Sequence, residues 1–181
     1  MSHEQDAVLV RQCLDGNQRA FETLIDRYQR PIYNLALRFA ASREDAEDIV
    51  QTVFVKVYEK LNTYDPKHKF FSWLYKIAVN ESINHLNRRR NFDQFQEEIH
   101  SGYQVQDEPQ QDLELNSKID NALLELKPDY RIVVILNHFQ DMTYREISYI
   151  LDIHENKVKS RLFSARKKLR SILMKKGISH A

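Results

Sequence analysis

Apolar residues recur at steps of three and four along most of the chain, which is the spacing of an amphipathic helix. The clearest stripe consists of Ala46, Ile49, Val50, Val53, Phe54, Val57, Tyr58 and Leu61. The same period predicts further helices near residues 4–14, 20–39, 70–90, 114–126 and 129–139. No alternating pattern typical of strands outweighs it, so the sequence predicts an all-α fold.

Two shorter helical patterns follow near the C-terminal end. Thr143 with Glu146 forms a capping-box pattern at the start of the first one, and Ser42 with Asp45 forms the same pattern earlier in the chain. Asp152 occupies the position where a tight turn needs a left-handed residue, a conformation that Asp tolerates. Beyond it, Val158 begins a new stripe that continues with Leu162, Ala165, Leu169 and Ile172. Two helices joined by three residues form the pattern of a helix-turn-helix.

Composition limits the class of protein. The chain has 181 residues, of which 42% are hydrophobic, with only 3 Gly, 4 Pro and 1 Cys. We find no apolar run of about 18 residues and no basic-then-apolar leader, so we expect a cytoplasmic protein without direct membrane insertion. A single cysteine and scattered histidines predict no disulfide within the chain, no metal site and no cofactor.

The net charge of +1 conceals an uneven distribution. Residues 91–116 hold 7 Asp and Glu and no Lys or Arg, with no sustained apolar period. Such a segment buries too little to offset the entropy of ordering. We therefore predict two small helical domains, residues 1–91 and 114–181, joined by an acidic flexible linker over residues 92–113, and a four-helix C-terminal domain that contains the helix-turn-helix.

The second helix of the predicted helix-turn-helix is strongly basic. Residues 157–170 contain seven Lys and Arg and no acid, whereas a solvated helix face usually mixes charges of both signs. A solvated amphipathic hairpin remains the alternative, but the pattern favours a helix that enters a groove of DNA.

The helix over residues 70–90 carries Phe70, Phe71, Trp73 and Tyr75 at one end and three arginines at the other. Aromatic rings beside positive charge can hold unstacked bases. The same residues also fit a buried aromatic core and a cation-rich helix end. Both interpretations stay open from the sequence.

Three segments together resemble the extracytoplasmic-function (ECF) sigma factors, the small bacterial promoter-recognition subunits of RNA polymerase. These segments are DAEDIVQTVF, FFSWLYKIAVNESINHLNRRR and MTYREISYILDIHENKVKSRLFSARKKLR. They occur in the family's order, and the resemblance extends from about residue 5 to residue 173, with a break at the linker. The resemblance implies a sigma region 2 domain at residues 1–91 and a sigma region 4 domain at residues 114–181.

The resemblance also implies binding partners and site residues. Core RNA polymerase would be bound through the clamp helices of its largest subunit, by Asp45, Asp48, Gln51, Thr52 and Lys56. The −10 promoter element would be bound by Lys67, Lys69, Asn80, Asn84, Arg88, Arg89 and Arg90. The −35 element would be bound by Glu155, Asn156, Lys157, Lys159, Ser160, Arg161, Ser164, Arg166 and Lys167. A dedicated anti-sigma factor is a further partner that the family implies, and the chain would not itself be an enzyme.

Some positions depart from the common family pattern. Asn156 and Lys157 replace the usual Gly-Thr, and His154 replaces a better helix cap. Asn84 and Asn87 stand where Asp and Arg are frequent. Two other classes of protein fit parts of the sequence, an operator-binding regulator and an enzyme with a site inside a helical bundle. The first leaves the helix over residues 45–61 without a role, and for the second the seven histidines are scattered, with no His-x-x-x-His pair.

Overall fold

A computed structural model describes residues 3–40, 42–96 and 111–178 of the chain, with side chains at 4–40, 42–89 and 118–178. The chain divides into two compact units, residues 1–98 and 99–181, which we call the N-terminal unit and the C-terminal unit. Every regular element in the described part is helical, so the all-α prediction is confirmed. Most of the predicted linker, residues 97–110, lies outside the described residues.

The N-terminal unit contains four helices and one short 3₁₀ turn. They are α1 (His3–Leu14), α2 (Gln18–Leu37), α3 (Arg43–Lys60), the 3₁₀ turn Leu61–Thr63, and α4 (Phe70–Gln96). The turn between α1 and α2 passes through Gly16 at φ 89°, a conformation that glycine adopts without steric cost. Asn17 then caps α2 by accepting a hydrogen bond from the backbone of Ala20. Helix α4 continues six residues beyond the predicted end at residue 90.

An aromatic cluster forms part of the core of the N-terminal unit. Phe70, Trp73 and Tyr64 are buried, and their ring centroids lie 5.5–5.7 Å apart. Tyr28 from α2 joins them at 5.6 Å from Phe70. Burial of this extent excludes stacking on extruded bases, so the core interpretation of Phe70, Trp73 and Tyr75 is confirmed.

Asp6 is an acidic residue buried inside the same unit. Its carboxylate accepts a hydrogen bond from the Tyr28 hydroxyl at 2.6 Å and forms an ion pair with Arg27. Burial, reinforced by the Asp6 carboxylate, raises the pKa of Tyr28 well above its usual value, and burial alone does the same for Tyr75. The buried charge is therefore paired rather than isolated, as its desolvation requires.

Tyr58 was predicted to belong to the core stripe of α3, and the prediction is wrong. Its side chain is 66% exposed, whereas the neighbouring Val57 is 2% exposed. One residue turns an α-helix by about 100°, which places Tyr58 beyond the edge of the stripe that Val57 occupies. The ring instead packs edge-on against Phe21 of α2, with centroids 5.2 Å apart.

The C-terminal unit consists of α5 (Gln111–Leu124), α6 (Pro128–Val134), a π-helical segment (Ile135–Phe139, here the π segment), α7 (Tyr144–Leu151) and α8 (Glu155–Lys175). The apolar residues 132–136 of α6 and the π segment are almost fully buried, and α8 packs across them with Val158, Leu162 and Ala165, each at most 1% exposed. The stripe predicted for α8 therefore faces the core at these positions, and Leu173 extends it.

The connection between α7 and α8 has the predicted turn geometry. Thr143 and Glu146 form the full capping box, and Asp152 adopts a left-handed conformation at φ 52°. The Ser148 hydroxyl donates to the carbonyl of Ile153 at 2.6 Å, which fixes the turn from inside. His154 caps α8, because its Nδ1 accepts a hydrogen bond from the backbone of Asn156 at 3.3 Å.

The other predicted capping box forms only in half. The Ser42 hydroxyl accepts a hydrogen bond from the backbone of Asp45 at 3.0 Å, as expected at a helix N-terminus. The Asp45 carboxylate turns instead toward α4, so the reciprocal bond to Ser42 is missing from the cap. Across the part of the chain that the structure describes, no helix is both long and apolar enough to cross a membrane.

Candidate nucleic-acid and polymerase interfaces

Helix α8 exposes one polar and basic face opposite its buried stripe. At about 100° per residue, six of the exposed positions between residues 156 and 170 fall within roughly 100° of arc. They are Asn156, Lys159, Ser160, Phe163, Lys167 and Arg170, which we call the outer face of α8. Lys157 is also exposed, on the flank of this face. The predicted contacts Glu155 and Ser164 are less accessible, because both are half-buried.

The sequence did not single out Phe163, which lies near the centre of the outer face of α8. Its side chain is 74% exposed, the largest exposure among the apolar side chains of the described residues. An exposed aromatic ring between Lys159 and Lys167 is unusual for a solvated helix, because a large apolar surface gains nothing from water. The sequence contained a signal for this exposure, because Phe163 is an aromatic residue that does not fall on the apolar stripe of α8.

Two of the predicted −35 arginines have partners within the C-terminal unit. Arg161 lies on the flank of α8 that faces α6, and its guanidinium forms an ion pair with Asp129 at 2.7 Å. Arg166 donates hydrogen bonds to His138 and Asn137 of the π segment at 3.0 Å and 2.9 Å. The partner of Arg161 is therefore a carboxylate, whereas both partners of Arg166 are uncharged acceptors at neutral pH.

The exposed face of α4 brings together several of the predicted −10 residues. Asn80, Asn84 and Arg88 follow one another at steps of four and are all exposed, with Asn87 beside them. Asn84, Asn87 and Arg88 line a shallow hollow of about 400 Å³ together with Lys56 and Glu81. The side chain of Arg90 lies outside the described residues.

The loop before α4 presents the other two predicted −10 residues. Lys67 and Lys69 are both exposed. Asp65 shapes the loop by accepting a hydrogen bond from the backbone of Lys67 at 2.9 Å, and the Tyr64 hydroxyl donates to the carbonyl of His68 at 2.7 Å. The loop is thus anchored to the aromatic core through Tyr64.

Ion pairs connect α3 to α4 and involve residues predicted for separate surfaces. The Asp45 carboxylate binds Arg89 and lies 3.1 Å from Nε2 of His85. Lys56 forms an ion pair at 2.6 Å with Glu81, a residue that is 6% exposed. Asp45 and Lys56 therefore contribute to packing inside the unit in this state.

The remaining predicted polymerase contacts, Asp48, Gln51 and Thr52, lie beside a second polar hollow of about 260 Å³ between α3 and α4. Asp48 and Gln51 are exposed and Thr52 is half-buried. Val55 projects from the same side of α3 with 57% exposure, and the sequence analysis did not identify it. The outer side of α3 thus combines acidic, amide and apolar groups.

None of the described residues forms a cluster of three or more His, Cys, Asp or Glu that could hold a metal ion. The geometry that the structure does contain is a helix-turn-helix with a basic outer helix in one unit, and a polar helical surface in the other. Two separate helical units with these surfaces define a class of nucleic-acid-binding proteins rather than a small-molecule site.

Comparison with known proteins identifies the family. The family model for Sigma-70 region 2 matches residues 24–92, and the model for Sigma-70, region 4 matches residues 116–169. The ECF sigma-E factor of Escherichia coli K12 is 33% identical over 173 residues, covering 89% of this chain and 90% of that protein. The sigma-H factor of Pseudomonas aeruginosa is 30% identical over 178 residues, with 92% of each chain covered. The chain belongs to the ECF sigma factors of the sigma-70 family, as the sequence predicted.

Solved structures show the same architecture. A chain from the structure of CnrH in complex with the cytosolic domain of CnrY has a TM-score of 0.74 and 28% identity, and the match covers 94% of this chain and 97% of that one. The RpoE chain of Bartonella quintana, solved in complex with the anti-sigma factor NepR, has a TM-score of 0.72 at 23% identity and supports the fold alone. Sigma factors are transcription initiation factors, so this chain acts in promoter recognition by RNA polymerase.

Proposed function

We propose that this chain binds core RNA polymerase through the outer side of α3, the −10 element through α4 and its preceding loop, and the −35 element through α8. The observation that carries the proposal is the division of α8 into a buried apolar stripe and a basic outer face. Val158 and Leu162 are at most 1% exposed, whereas Lys159 is exposed. A recognition helix requires this division, because its core side must pack while its other side enters the major groove.

Transcription by reconstituted holoenzyme tests the proposal as a whole. Core bacterial RNA polymerase supplemented with this chain should produce run-off transcripts from a subset of a genomic promoter library. Core enzyme alone should stay inactive on the same templates. Core enzyme that remains inactive with the chain present, across the entire library, would contradict the proposal.

For the −35 element, we propose that the outer face of α8 makes the contacts to bases and phosphates. Asn156 and Ser160 carry polar groups that can read base edges, and the ring of Phe163 can contact a thymine methyl group. Lys159 and Lys167 lie beside them and can bind phosphates. Arg161 contributes less, because Asp129 already neutralises its charge.

Alanine variants on α8 test this ranking. Lys159→Ala should weaken −35-dependent initiation and reduce the salt dependence of DNA binding by about one phosphate contact. Lys175→Ala is the matched control, because it removes the same charge about 24 Å further along the same helix. Arg161→Ala should reduce −35-dependent initiation less than Lys159→Ala does. A larger loss from Arg161→Ala than from Lys159→Ala would reverse the ranking.

For the −10 element, we propose that Asn80, Asn84 and Arg88 hold the melted strand along α4, while Lys67 and Lys69 bind its phosphates. Amide side chains offer both donors and acceptors to the exposed edges of unpaired bases, and the ammonium groups follow the backbone. Asn84→Ala should slow open-complex formation. A pre-melted template should restore the part of the rate that is lost in DNA melting, but not the part that is lost in binding the single strand. Asn34→Ala, an exposed amide on α2, serves as the control.

For core polymerase, we propose that Asp48 and Gln51 dock on the clamp helices of the largest subunit, with Val55 as an apolar contact beside them. Acidic and apolar groups on one helix face fit a partner surface that combines basic and apolar groups. Asp48→Arg should reduce co-purification with core enzyme through charge reversal. Asp26→Arg makes the same change on the exposed side of α2 and should leave co-purification intact.

We also propose regulation by an anti-sigma factor and action in the cytoplasm, where the promoters are. The RpoE structure described above contains a sigma factor in complex with an anti-sigma factor. The chain would contribute binding and DNA melting, and the polymerase would carry out the chemistry of RNA synthesis. Purification of the tagged chain from its own cells tests this proposal. It should recover a protein inhibitor in stoichiometric amount, and added core enzyme should displace that inhibitor.

A further inference from the structure

The π segment contacts α8 through side chains that the sequence did not connect to DNA binding. Arg166 Nε donates to Nε2 of His138 at 3.0 Å, and Arg166 Nη2 donates to Oδ1 of Asn137 at 2.9 Å. Asn137 is itself fixed, because its Nδ2 donates to the carbonyl of Met142 at 3.0 Å. The guanidinium thus meets two acceptors from adjacent residues of the π segment, and the bond to Met142 holds one of them in place.

The contact leaves the functional part of the guanidinium available. The bonds to His138 and Asn137 use the Nε–H and one Nη2–H, which lie along one side of the planar group. The opposite edge, with Nη1 and the second Nη2–H, retains the geometry that binds a phosphate in bidentate fashion. Arg166 is exposed, so that edge is accessible to solvent and to DNA.

The partners of Arg166 also preserve its positive charge. Asn137 is uncharged, and burial together with the charge of Arg166 lowers the pKa of His138, against a smaller opposite effect of Asp141. Arg161 provides the contrast within the same helix, since its partner is the Asp129 carboxylate. An arginine held by neutral acceptors keeps its full attraction to phosphate, whereas one paired with a carboxylate does not.

We propose that Asn137 and His138 are positioning residues that hold the Arg166 guanidinium in the orientation required to bind a DNA phosphate beside the −35 element. The inference rests on the proposed role of α8 and adds residues outside the helix-turn-helix to the DNA-binding machinery. An arginine side chain loses substantial rotational freedom when it binds. Fixing it in advance removes that cost from the binding step.

Binding of the full chain to duplex DNA tests the positioning role. The probe is a fluorescein-labelled duplex of mixed sequence, about three helical turns long, because phosphate contacts do not depend on sequence. Anisotropy is measured over a series of salt concentrations. Arg166→Ala should lower the affinity and reduce the slope of log K against log salt by about 0.9, the value for one phosphate.

The positioning residues should change the affinity without removing the charge. His138→Ala should weaken binding about two- to tenfold, the range expected for one side chain that must be ordered on binding, with the salt slope retained. His138→Gln retains a neutral acceptor and should restore binding. Asn137→Asp keeps an acceptor but introduces a negative charge, so it should lower the salt slope as Arg166→Ala does.

A double-variant comparison separates positioning from a general structural effect. In the Arg166→Ala background, His138→Ala should have no further effect on affinity, because no guanidinium remains to be held. A further loss there, or tighter binding by the single His138→Ala variant, would overturn the proposal. If Arg166→Ala itself binds normally while Lys159→Ala does not, the positioning role fails and the proposed function stands. Wild-type chain that neither binds DNA nor supports transcription would instead contradict the proposed function.

Discussion

Arg131 allows a quantitative test of how the C-terminal unit is held together. The side chain is 5% exposed and lies at the junction of α5 and α6. Its Nε donates to the carbonyl of Leu123 at 2.9 Å, and Nη2 donates to the carbonyls of Leu124 at 2.5 Å and Leu126 at 3.3 Å. The carbonyls of Leu123 and Leu124 belong to the last turn of α5, where the helix itself supplies no partners, and Leu126 lies in the connection to α6. Replacing Arg131 by Met keeps much of the volume and removes every one of these donors.

The structure gives the expected size of the loss. A hydrogen bond from a charged donor contributes about 1.5–3 kcal/mol, so the two shorter bonds contribute about 3–6 kcal/mol. Met recovers part of this through apolar burial, which leaves an expected loss of roughly 3–4 kcal/mol. A unit of this size is stable by about 4–12 kcal/mol, and each kcal/mol shifts its unfolding midpoint by roughly 4–8 °C. The midpoint should therefore fall by roughly 12 °C or more.

Two spectroscopic signals distinguish the units during thermal unfolding. Trp73 is the single tryptophan of the chain and is buried in the N-terminal unit, so its fluorescence follows that unit alone. Far-ultraviolet circular dichroism follows both units. In Arg131→Met, part of the dichroism transition should move to lower temperature while the fluorescence transition stays in place.

Control variants define what would refute the reasoning. Arg145→Met removes an exposed arginine from α7 and should change the stability by no more than about 0.5 kcal/mol. Arg131→Lys retains the charge without the planar fork and should fall between wild type and Arg131→Met. An Arg131→Met transition that coincides with wild type would show that the capping bonds contribute nothing. A parallel shift of Trp73 fluorescence would show that the two units unfold together.

Three further predictions concern pH, the turn and the α3–α4 ion pairs. Because the folded pKa of the two buried tyrosines is raised, the N-terminal unit should lose stability as pH rises above about 10, where unfolded tyrosine ionises, at up to about 1.4 kcal/mol per pH unit for each group. Tyr75→Phe should reduce that slope in urea unfolding followed by tryptophan fluorescence, and an unchanged slope would refute the assignment. Asp152→Val should destabilise the C-terminal unit by about 1–2 kcal/mol, because a β-branched residue resists the left-handed conformation, whereas Asp152→Gly should melt at or above wild type. Asp45→Asn should raise the affinity of the chain for single-stranded DNA at low salt by removing the negative charge beside Arg89, and Glu44→Gln, an exposed neighbour, should raise it less.

The elements of the fold follow from local signals in the sequence. The capping box at Thr143 and the turn at Asp152 depend on residues only a few positions apart, so both could be predicted and both are confirmed. The buried side of α8 follows from helical periodicity in the same way. The helix-turn-helix could therefore be predicted from its own residues, without information from distant parts of the chain.

The pairing of charged side chains could not be predicted in this way. Asp45 and Arg89 are 44 residues apart, and the sequence assigned them to separate surfaces. Arg161 and Asp129 likewise meet only because α8 packs across α6. A periodic pattern shows which side of a helix is polar, but the tertiary packing decides which polar group finds a partner. Among the cations of α8, the packing pairs Arg161 with a carboxylate that offsets its charge.

On the proposed role of α8 in −35 binding, the separation of its two sides has a consequence for the evolution of promoter preference. Asn156, Ser160 and Phe163 lie on the outer face, while Val158 and Leu162 form the packed side. Exchanges among exposed residues usually cost less than about 0.5 kcal/mol. Duplicated copies of such a gene can therefore acquire new target sequences by drift at a few surface positions, without first accumulating compensating changes in the interior.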